Sequence, residues 1–493
     1  MNKLLHKLYG TTPNDGNLQP KEALAYGVAG FGQNFICTII GSYLTIFLTD
    51  ALLFGGVQKG GIFGALDGAT AVAFLMLGVR IFDAFNDPIM GSVVDRTRTK
   101  WGKCRPYLKW MAFPIAIMTI ASFLPLPSKS LATFIVISVV YTIWSVVYTV
   151  ADVPYWGLST CMTNNTVVRG NLLTITRLLC TLGAGIVTVF VPVITDAVTA
   201  KYKDAAGNVL QGAIQDNANT LKYTYFICAV VLTVLAIPMF FYGFKHTKER
   251  YTSNDTPPSF GHNIKLLFKN DQLLLIVISG VLGGARMVYT YTGGLYFAKY
   301  VLKDESLYGI ITLMVVPGGL VASLLVPWMT KKFTKKWAYT GVHIFGAVVM
   351  FAMYFIGYDE DWKLAICAIG LVLLGIPQGV NNIITYAMIG DTVDYLEWKT
   401  GERGEGICFA MQTLINKVGM AVGAFIGVMA FSWAGINPEA TPAIQPEGEQ
   451  LLWNVLILAG AISMIACAVP MFFYKITEKR QAEMVAEIEA RKK

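Results

Sequence analysis

Long apolar segments recur along the whole chain, and they constrain the fold more than any other feature. A membrane-spanning helix needs about 20 apolar residues. Of the 493 residues, 55% are hydrophobic and 14% are charged, whereas a soluble domain carries about 25% charged residues. The sequence therefore predicts an all-α membrane protein with twelve spans, near residues 24–49, 65–95, 107–126, 131–158, 171–198, 223–244, 272–300, 308–329, 338–357, 364–391, 405–433 and 451–474.

The most polar interruption, residues 245–270, divides the predicted spans into two sets of six. We expect an N-terminal bundle over 23–244, a cytoplasmic central loop and a C-terminal bundle over 271–474. Lys and Arg concentrate in alternate loops, and loops rich in these residues stay in the cytoplasm. Both ends, 1–22 and 475–493, fall on that side, so we expect cytoplasmic termini and a multi-pass protein of the cell membrane. The N-terminal segment lacks the apolar core of a cleavable signal peptide.

Three further features narrow the class of function. The net charge of +8 comes from short loops between spans and does not indicate nucleic-acid binding. The eight cysteines include no CxxC pair, so they indicate neither a metal site nor a disulfide framework. Residues 478–493 alternate charges at helical spacing and predict a solvated cytoplasmic helix without chemistry.

Two acids, Asp83 and Asp87, lie four residues apart inside the second predicted span, together with Asn86. On a helix these three side chains share one face. Two carboxylates close together in a low dielectric repel each other and are costly to ionise. A proton or a small hard cation between them would relieve that cost, and carboxylate and amide oxygens are the ligands such a cation prefers. The alternative is a buried salt bridge with Arg80 that only helps the helices pack.

The segment after these acids carries a known loop pattern. Gly91, Asp95 and Arg96 resemble the Gly-x-x-x-Asp-Arg signature of the major facilitator superfamily, although Arg98 stands where that pattern ends in glycine. A longer match is more specific. It resembles the glycoside–pentoside–hexuronide:cation symporter family, of which melibiose permease is a member, in segments 83–91, 99–106, 148–156, 391–397 and 412–417.

The resemblance implies a major facilitator fold of two six-helix bundles and a function in cation-coupled sugar transport. It implies that four residues hold the cation: Asp83, Asn86, Asp87 and Thr149. Five positions match sugar contacts or line the same region in the family: Tyr148, Asp152, Trp156, Arg177 and Lys417. Because Thr149 and Asp152 lie three residues apart on one helix, we expect the cation and sugar sites to be neighbours.

Three departures from melibiose permease concern the substrate. A Lys-Asp pair early in its first span reads Gln33-Asn34 here, so an amide replaces a carboxylate. A tryptophan of its tenth span reads Asn382, and Arg286 is an additional charge in the seventh span. Arg286 is interpreted either as a partner for a substrate carboxylate or as an ion-pairing or snorkelling side chain. We therefore predict a neutral glycoside or pentoside as substrate, with a hexuronide as the alternative.

Charged residues near the cytoplasmic side predict a gate. By resemblance, acids after the tenth span form interdomain ion pairs with basic loops and close the inner side in the outward-facing state. The basic partners include the loop 331–336, and the alternative is a solvated charged loop. The candidate gate residues are Asp95, Arg169, Asp391, Asp394, Glu397 and Arg403.

The predicted function is symport: a cation, Na⁺ in preference to H⁺, enters with a glycoside by alternating access. The expected partners are a small sugar, the coupling cation and the lipid bilayer, with no cofactor and no covalent chemistry. A proton-coupled hexuronide carrier and a lysolipid-type transporter of the same family are alternatives. A sugar sensor would not need a complete cation site. A membrane enzyme acting on lipid-linked sugars would need a catalytic acid or metal set that the sequence lacks.

Overall fold

The computed structural model consists almost entirely of helices. The residues that it describes are 18–163, 166–205, 207–250, 260–402 and 404–492. Within these ranges, pairing of extended backbone is limited to one isolated antiparallel bridge between Lys203 and Val209. The prediction of an all-α fold is therefore confirmed for this part of the chain.

The first two spans begin at clear helix-start signals. Pro20 opens the first helix, where its missing N–H has no partner to lose. Asp67 caps the second, because its Oδ1 accepts from the Thr70 backbone N–H at 2.8 Å. The α-helices of this half are Pro20–Thr38, Leu44–Ile46, Gly68–Arg96, Arg105–Trp110, Ala112–Ser122, Leu131–Met162, Thr166–Thr199 and Ile214–His246. Shorter turns are π-helical at Ile39–Tyr43 and Phe47–Ala51, and 3-10 at Phe54–Gly56, Ala200–Tyr202 and Gln211–Ala213.

The second half contains one break inside a span and one sharp turn between two spans. A 3-10 segment, Gly283–Thr290, interrupts the seventh span, which continues through a π-helical turn at Phe297–Val301. Thr334 has a φ of 60° and separates the eighth and ninth spans. The α-helices of this half are Phe260–Lys269, Asp271–Leu282, Thr292–Tyr296, Leu307–Ile356, Asp361–Thr400, Glu405–Trp433, Pro446–Phe473 and Glu478–Lys492.

Ten helical stretches of the described chain are long and apolar enough to cross a membrane. The second span, Gly68–Arg96, is also long enough but carries the charged cluster, and the third ends in the short apolar helix Ala112–Ser122. Large apolar side chains stay exposed on these helices, and Leu324 and Phe355 are each 82% exposed. Such apolar exposure suits contact with lipid. The chain is a multi-pass membrane protein.

The described chain forms two compact units, and the division falls in the polar segment 245–270. The units are Met1–Pro257 with Asn437–Ala443, and Pro258–Ile436 with Ile444–Lys493. The short stretch Asn437–Ala443 thus groups with the first unit although it precedes the last span in the chain. Within that unit Glu439 forms an ion pair with Lys129, and Thr441 Oγ1 donates to the Val209 carbonyl at 2.6 Å.

The loop that carries much of the family resemblance folds around one carboxylate of the first unit. Glu249 accepts backbone N–H groups from Lys103 at 2.9 Å, Cys104 at 2.8 Å and Arg105 at 2.6 Å. Gly102 has a φ of 109°, and a Cβ there would lie 2.3 Å from the Glu249 carboxyl carbon. Only glycine suits both that backbone conformation and that contact. The motif therefore ties the loop to the segment that directly follows the sixth span.

The C-terminal helix Glu478–Lys492 is docked on the second unit, which corrects the expectation of a solvated helix. Met484 and Ile488, one turn apart, are 1% and 8% exposed, and Met484 belongs to the apolar core of that unit. Glu478 Oε1 accepts from the Lys335 backbone N–H at 2.7 Å. Met484 and Ile488 are spaced four residues apart among the charged residues, so they lie on one face of the helix, and that face is buried.

Candidate functional site

The structure brings three of the predicted cation-site side chains into contact. Asp83 and Thr149 are 1% and 0% exposed. Thr149 Oγ1 donates to Asp87 Oδ1 at 3.0 Å and lies 3.4 Å from Asp83 Oδ1. Asn86 is half-buried, and its Nδ2 is buried with no hydrogen-bond partner among the described residues. The two acids of the second span therefore face one hydroxyl of the fourth.

Arg80 also belongs to this cluster. Its Nη1 lies 3.6 Å from Asp83 Oδ2, one turn along the same helix. This ion pair is the predicted alternative to a functional acid site, but the structure contains both the pair and a second acid, Asp87, which contacts the same hydroxyl as Asp83. Two carboxylates close together in a low dielectric repel each other, and a cation or a proton between them relieves that cost.

Ser145 is a member of the cluster that the sequence analysis missed. Its Oγ donates a hydrogen bond to Asp83 Oδ1, and the residue is 1% exposed. Ser145 lies four residues before Thr149, so both hydroxyls are on one face of the fourth span. That spacing is the signal that could have identified it, once Thr149 was placed in the site.

The predicted sugar-contacting residues of the first unit gather around Asp152. Its Oδ1 accepts from Gln33 Nε2 at 2.6 Å, from Trp156 Nε1 at 3.1 Å and from the Tyr148 hydroxyl at 3.4 Å. The Arg177 guanidinium lies over the Trp156 ring, 5.0 Å from its centroid. A carboxylate, a guanidinium and an indole are thus held together by direct contacts between three spans.

Asn34, a predicted substrate-binding residue, makes a hydrogen bond within its own helix. Its Nδ2 donates to the Gly30 carbonyl of its own helix at 2.9 Å. The neighbouring Gln33, only 2% exposed, is the residue that reaches Asp152. Because consecutive helical residues point about 100° apart, only one of the two can face the fourth span. The structure places Gln33 there.

In the second unit, Asn382 belongs to a polar row along the tenth span. Gln378, Asn381, Asn382 and Thr385 follow the i, i+3, i+4, i+7 pattern of one helix face. Thr385 Oγ1 donates to Asn381 Oδ1 at 3.2 Å, and Gln378 Oε1 is buried without a partner among the described residues. Asn382 itself is exposed. Polar side chains inside a membrane span face protein or water rather than lipid, so this row marks the polar face of the span.

Lys417 and Arg286 occupy different surroundings in the second unit. Lys417, on the eleventh span, is 8% exposed. Arg286 lies in the 3-10 break of the seventh span, where its Nη1 donates to the Gly283 carbonyl at 2.7 Å. Its Nε is buried without a partner among the described residues. The guanidinium therefore donates to a backbone carbonyl within the break of its own span, which favours a structural role.

The predicted gate is described only in part. Within the second unit, Lys335 Nζ pairs with Asp391 at 2.6 Å. Gln481 Nε2 donates to Asp394 Oδ2 at 2.9 Å, and Glu397 is 7% exposed. The loop 331–336 thus supplies the partner of one predicted acid, inside one unit. Interdomain pairing stays a prediction.

Of the three remaining predicted gate residues, only Arg169 has a described side chain. Arg169 is half-buried in the helix Thr166–Thr199. The side chain of Asp95 lies outside the described residues, although its backbone belongs to the second span. Arg403 also lies outside the described residues.

A family comparison settles the class of protein. Residues 25–478 match the sequence profile of the family described as MFS/sugar transport protein. The chain belongs to this family. The match spans both units and confirms the resemblance to major facilitator sugar carriers on which the fold was predicted. The family is one of transporters, which also confirms that the chain is not an enzyme.

Relatives and a solved structure agree with this membership. The glucuronide carrier protein homolog of Escherichia coli (strain K12) is 26% identical over 95% of this chain and 95% of the relative. The isoprimeverose transporter of Lactiplantibacillus pentosus is 27% identical over 96% of this chain and 92% of the relative. The crystal structure of a D-xylose-proton symporter, 13% identical, covers 92% of this chain and 98% of that one with a TM-score of 0.59. That likeness shows the fold.

Proposed function

We propose that this transporter imports a neutral glycoside or pentoside together with Na⁺, by alternating access across the cell membrane, with both termini in the cytoplasm. One observation carries the proposal. Thr149, which contacts the acid pair, and Asp152, which centres the sugar-contacting group, lie one turn apart on the fourth span. A cation and a sugar bound there would share a helix, so each would change the binding free energy of the other, and that coupling is reciprocal.

The oxygens at the acid pair support a small hard cation. Two carboxylates, Asp83 and Asp87, contact the Thr149 hydroxyl. Carboxylate and hydroxyl oxygens are ligands that suit such a cation. H⁺ is the alternative coupling ion, because a proton on either acid would remove one of the two negative charges that repel each other.

The first unit offers groups that bind a sugar ring. Asp152 can accept hydrogen bonds from adjacent sugar hydroxyls, and the guanidinium of Arg177 can donate to them. The Trp156 indole provides an apolar face for the ring. The second unit has its own amides in the polar row of the tenth span, which both donate and accept and carry no charge. The groups of each unit suit a substrate rich in hydroxyl groups.

A hexuronide is the second candidate, because one relative is a glucuronide carrier homolog and Arg286 adds a cation to the seventh span. The structure of the second unit favours the neutral substrate, since Arg286 donates to the Gly283 carbonyl. A glucuronide should therefore compete for transport no better than its matched glucoside, and Arg286→Gln should leave that ratio unchanged. The measurement is inhibition of labelled-sugar uptake by each compound in both proteins. Preferential competition by the glucuronide, lost in the variant, would overturn the neutral assignment.

Counterflow with a panel of glycosides, pentosides and hexuronides is the direct test of the proposed function. Membrane vesicles containing the protein are loaded with each unlabelled sugar, and entry of a labelled sugar is followed with Na⁺, with Li⁺ and with neither. We expect exchange of one or more neutral sugars, accelerated by Na⁺. Absence of exchange for every sugar, as for a sensor or a lysolipid carrier, would contradict sugar symport. If neither Na⁺ nor Li⁺ nor a proton gradient changes the rate of exchange, cation coupling is contradicted.

A further inference from the structure

Two pairs of oxygen-bearing side chains face each other between the second and fourth spans. Asp83 and Asp87 lie one turn apart on the second span, and Ser145 and Thr149 lie one turn apart on the fourth. Each pair has the i, i+4 spacing of a single helix face. Ser145 stands opposite Asp83, to which its Oγ donates, and Thr149 stands opposite Asp87, to which its Oγ1 donates.

The oxygens of these four residues form a continuous chain of contacts. Ser145 Oγ touches Asp83 Oδ1, that same Oδ1 lies 3.4 Å from Thr149 Oγ1, and Thr149 Oγ1 lies 3.0 Å from Asp87 Oδ1. Oxygen ligands of a hard cation lie about 2.3–2.6 Å from it, so neighbouring ligands are about 3–3.5 Å apart. Thr149 Oγ1 has this spacing to both acids, whereas Ser145 Oγ must move away from Asp83 Oδ1 to reach it.

We propose that Ser145 Oγ is a further ligand of the coupling cation and sets the affinity of the site for Na⁺. The assignment rests on the proposed function. Neither the loop motif nor the family resemblance includes Ser145. Its hydroxyl has one proton and two lone pairs and can rotate. While the site is empty it donates to Asp83, and with the cation bound it turns a lone pair inward.

Ser145 also has the burial that a ligand requires. It is 1% exposed, so its hydroxyl does not compete with bulk water for the cation. The oxygen it supplies carries no charge, so it raises the coordination number without adding to the repulsion between the two acids. Hard cations need several oxygens. Loss of the Ser145 oxygen therefore weakens Na⁺ binding and leaves the sugar-contacting group around Asp152 intact.

The test is Na⁺ binding to the purified full-length protein at fixed pH, by titration calorimetry without sugar. Ser145→Ala should raise the Na⁺ Kd about tenfold, the effect of losing about one good ligand contact. Ser145→Thr keeps the oxygen and should stay within about threefold of wild type. Ser138→Ala is the matched control, because Ser138 Oγ donates to the Phe134 carbonyl of its own helix at 2.6 Å. It should bind Na⁺ as wild type does.

Sugar binding at saturating Na⁺ shows that each variant is folded and should be nearly unchanged in all three. An unaltered Na⁺ Kd in Ser145→Ala would overturn the assignment. Equal weakening by alanine and threonine would also overturn it, since side-chain size rather than the oxygen would then matter. If wild-type protein binds sugar but shows no Na⁺ dependence, the proposed Na⁺ coupling fails, and this ligand fails with it. If wild-type protein responds to Na⁺ but Ser145→Ala binds Na⁺ unchanged, only the Ser145 assignment fails and the proposed function stands.

Discussion

Asp87→Asn is expected to abolish cation-driven accumulation of the sugar while the protein stays folded. The carboxamide keeps the size of the side chain and can still accept from Thr149, whose Oγ1 lies 3.0 Å from Asp87 Oδ1. It removes one of the two carboxylate charges of the acid pair, so the site loses a charged ligand and no longer stabilises a cation. The measurement is accumulation of labelled sugar in vesicles under a Na⁺ gradient. The internal concentration should rise no higher than the external one.

Asp83→Asn should lose coupling as well, but with a cost in stability. Asp83 is the ion-pair partner of Arg80 and accepts from Ser145, so its loss leaves a buried guanidinium without its charge partner. Breaking a buried pair from one side costs about 3–5 kcal/mol. We therefore expect a lower thermal unfolding temperature in detergent for Asp83→Asn than for Asp87→Asn.

Asp67→Asn is the matched control for both acid variants. Asp67 begins the same helix, where its carboxylate caps the Thr70 backbone N–H, and asparagine caps about as well. It should accumulate sugar as wild type does. If Asp83→Asn or Asp87→Asn concentrates the sugar with the wild-type response to Na⁺, that acid is not a coupling ligand.

The apolar runs were sufficient to predict the helices but not their breaks. A run of apolar residues specifies a span because backbone groups in lipid must be satisfied within the segment. The 3-10 segment Gly283–Thr290 depends on what packs beside it: a Cβ on Gly284 would lie 2.9 Å from the Gly419 Cα. The grouping of Asn437–Ala443 with the first unit likewise arises from contacts far apart in sequence.

The acid pair could be predicted because its side chains lie on one helix, where spacing alone decides which of them meet. The partners from other helices could not. Which face of the fourth span meets the second depends on packing, so Ser145 looked like any serine in an apolar run. Packing also decides whether Gln33 or Asn34 faces the fourth span, because neighbouring residues point about 100° apart around the helix. The family resemblance placed Thr149 in the cation site, whereas Ser145 and Gln33 could be placed only from the three-dimensional structure.

Asp152→Ala and Arg177→Ala are each expected to weaken sugar binding about tenfold or more. Leaving a buried polar partner unpaired costs about 1–3 kcal/mol, and 1.4 kcal/mol is a factor of ten. Asp152→Ala leaves Gln33 Nε2 and Trp156 Nε1 without the carboxylate they now contact, at 2.6 and 3.1 Å. Arg177→Ala removes the cation over the Trp156 ring and a donor for the sugar. The measurement is displacement of a labelled or fluorescent sugar at saturating Na⁺.

The two variants should differ in their effect on the cation. Arg177 lies on the fifth span, over Trp156, so Na⁺ binding measured without sugar should survive Arg177→Ala. Asp152 lies one turn from Thr149, so Asp152→Ala should disturb Na⁺ binding as well as sugar binding. Gln33→Leu removes one donor but keeps the carboxylate, and a smaller loss of sugar affinity is expected from it.

Unchanged sugar affinity in both alanine variants would refute the sugar assignment. Coupling between two distinct sites requires that each site can bind its own ligand alone. Loss of Na⁺ binding in Arg177→Ala would therefore show that the cation site and the sugar-contacting group are not distinct sites.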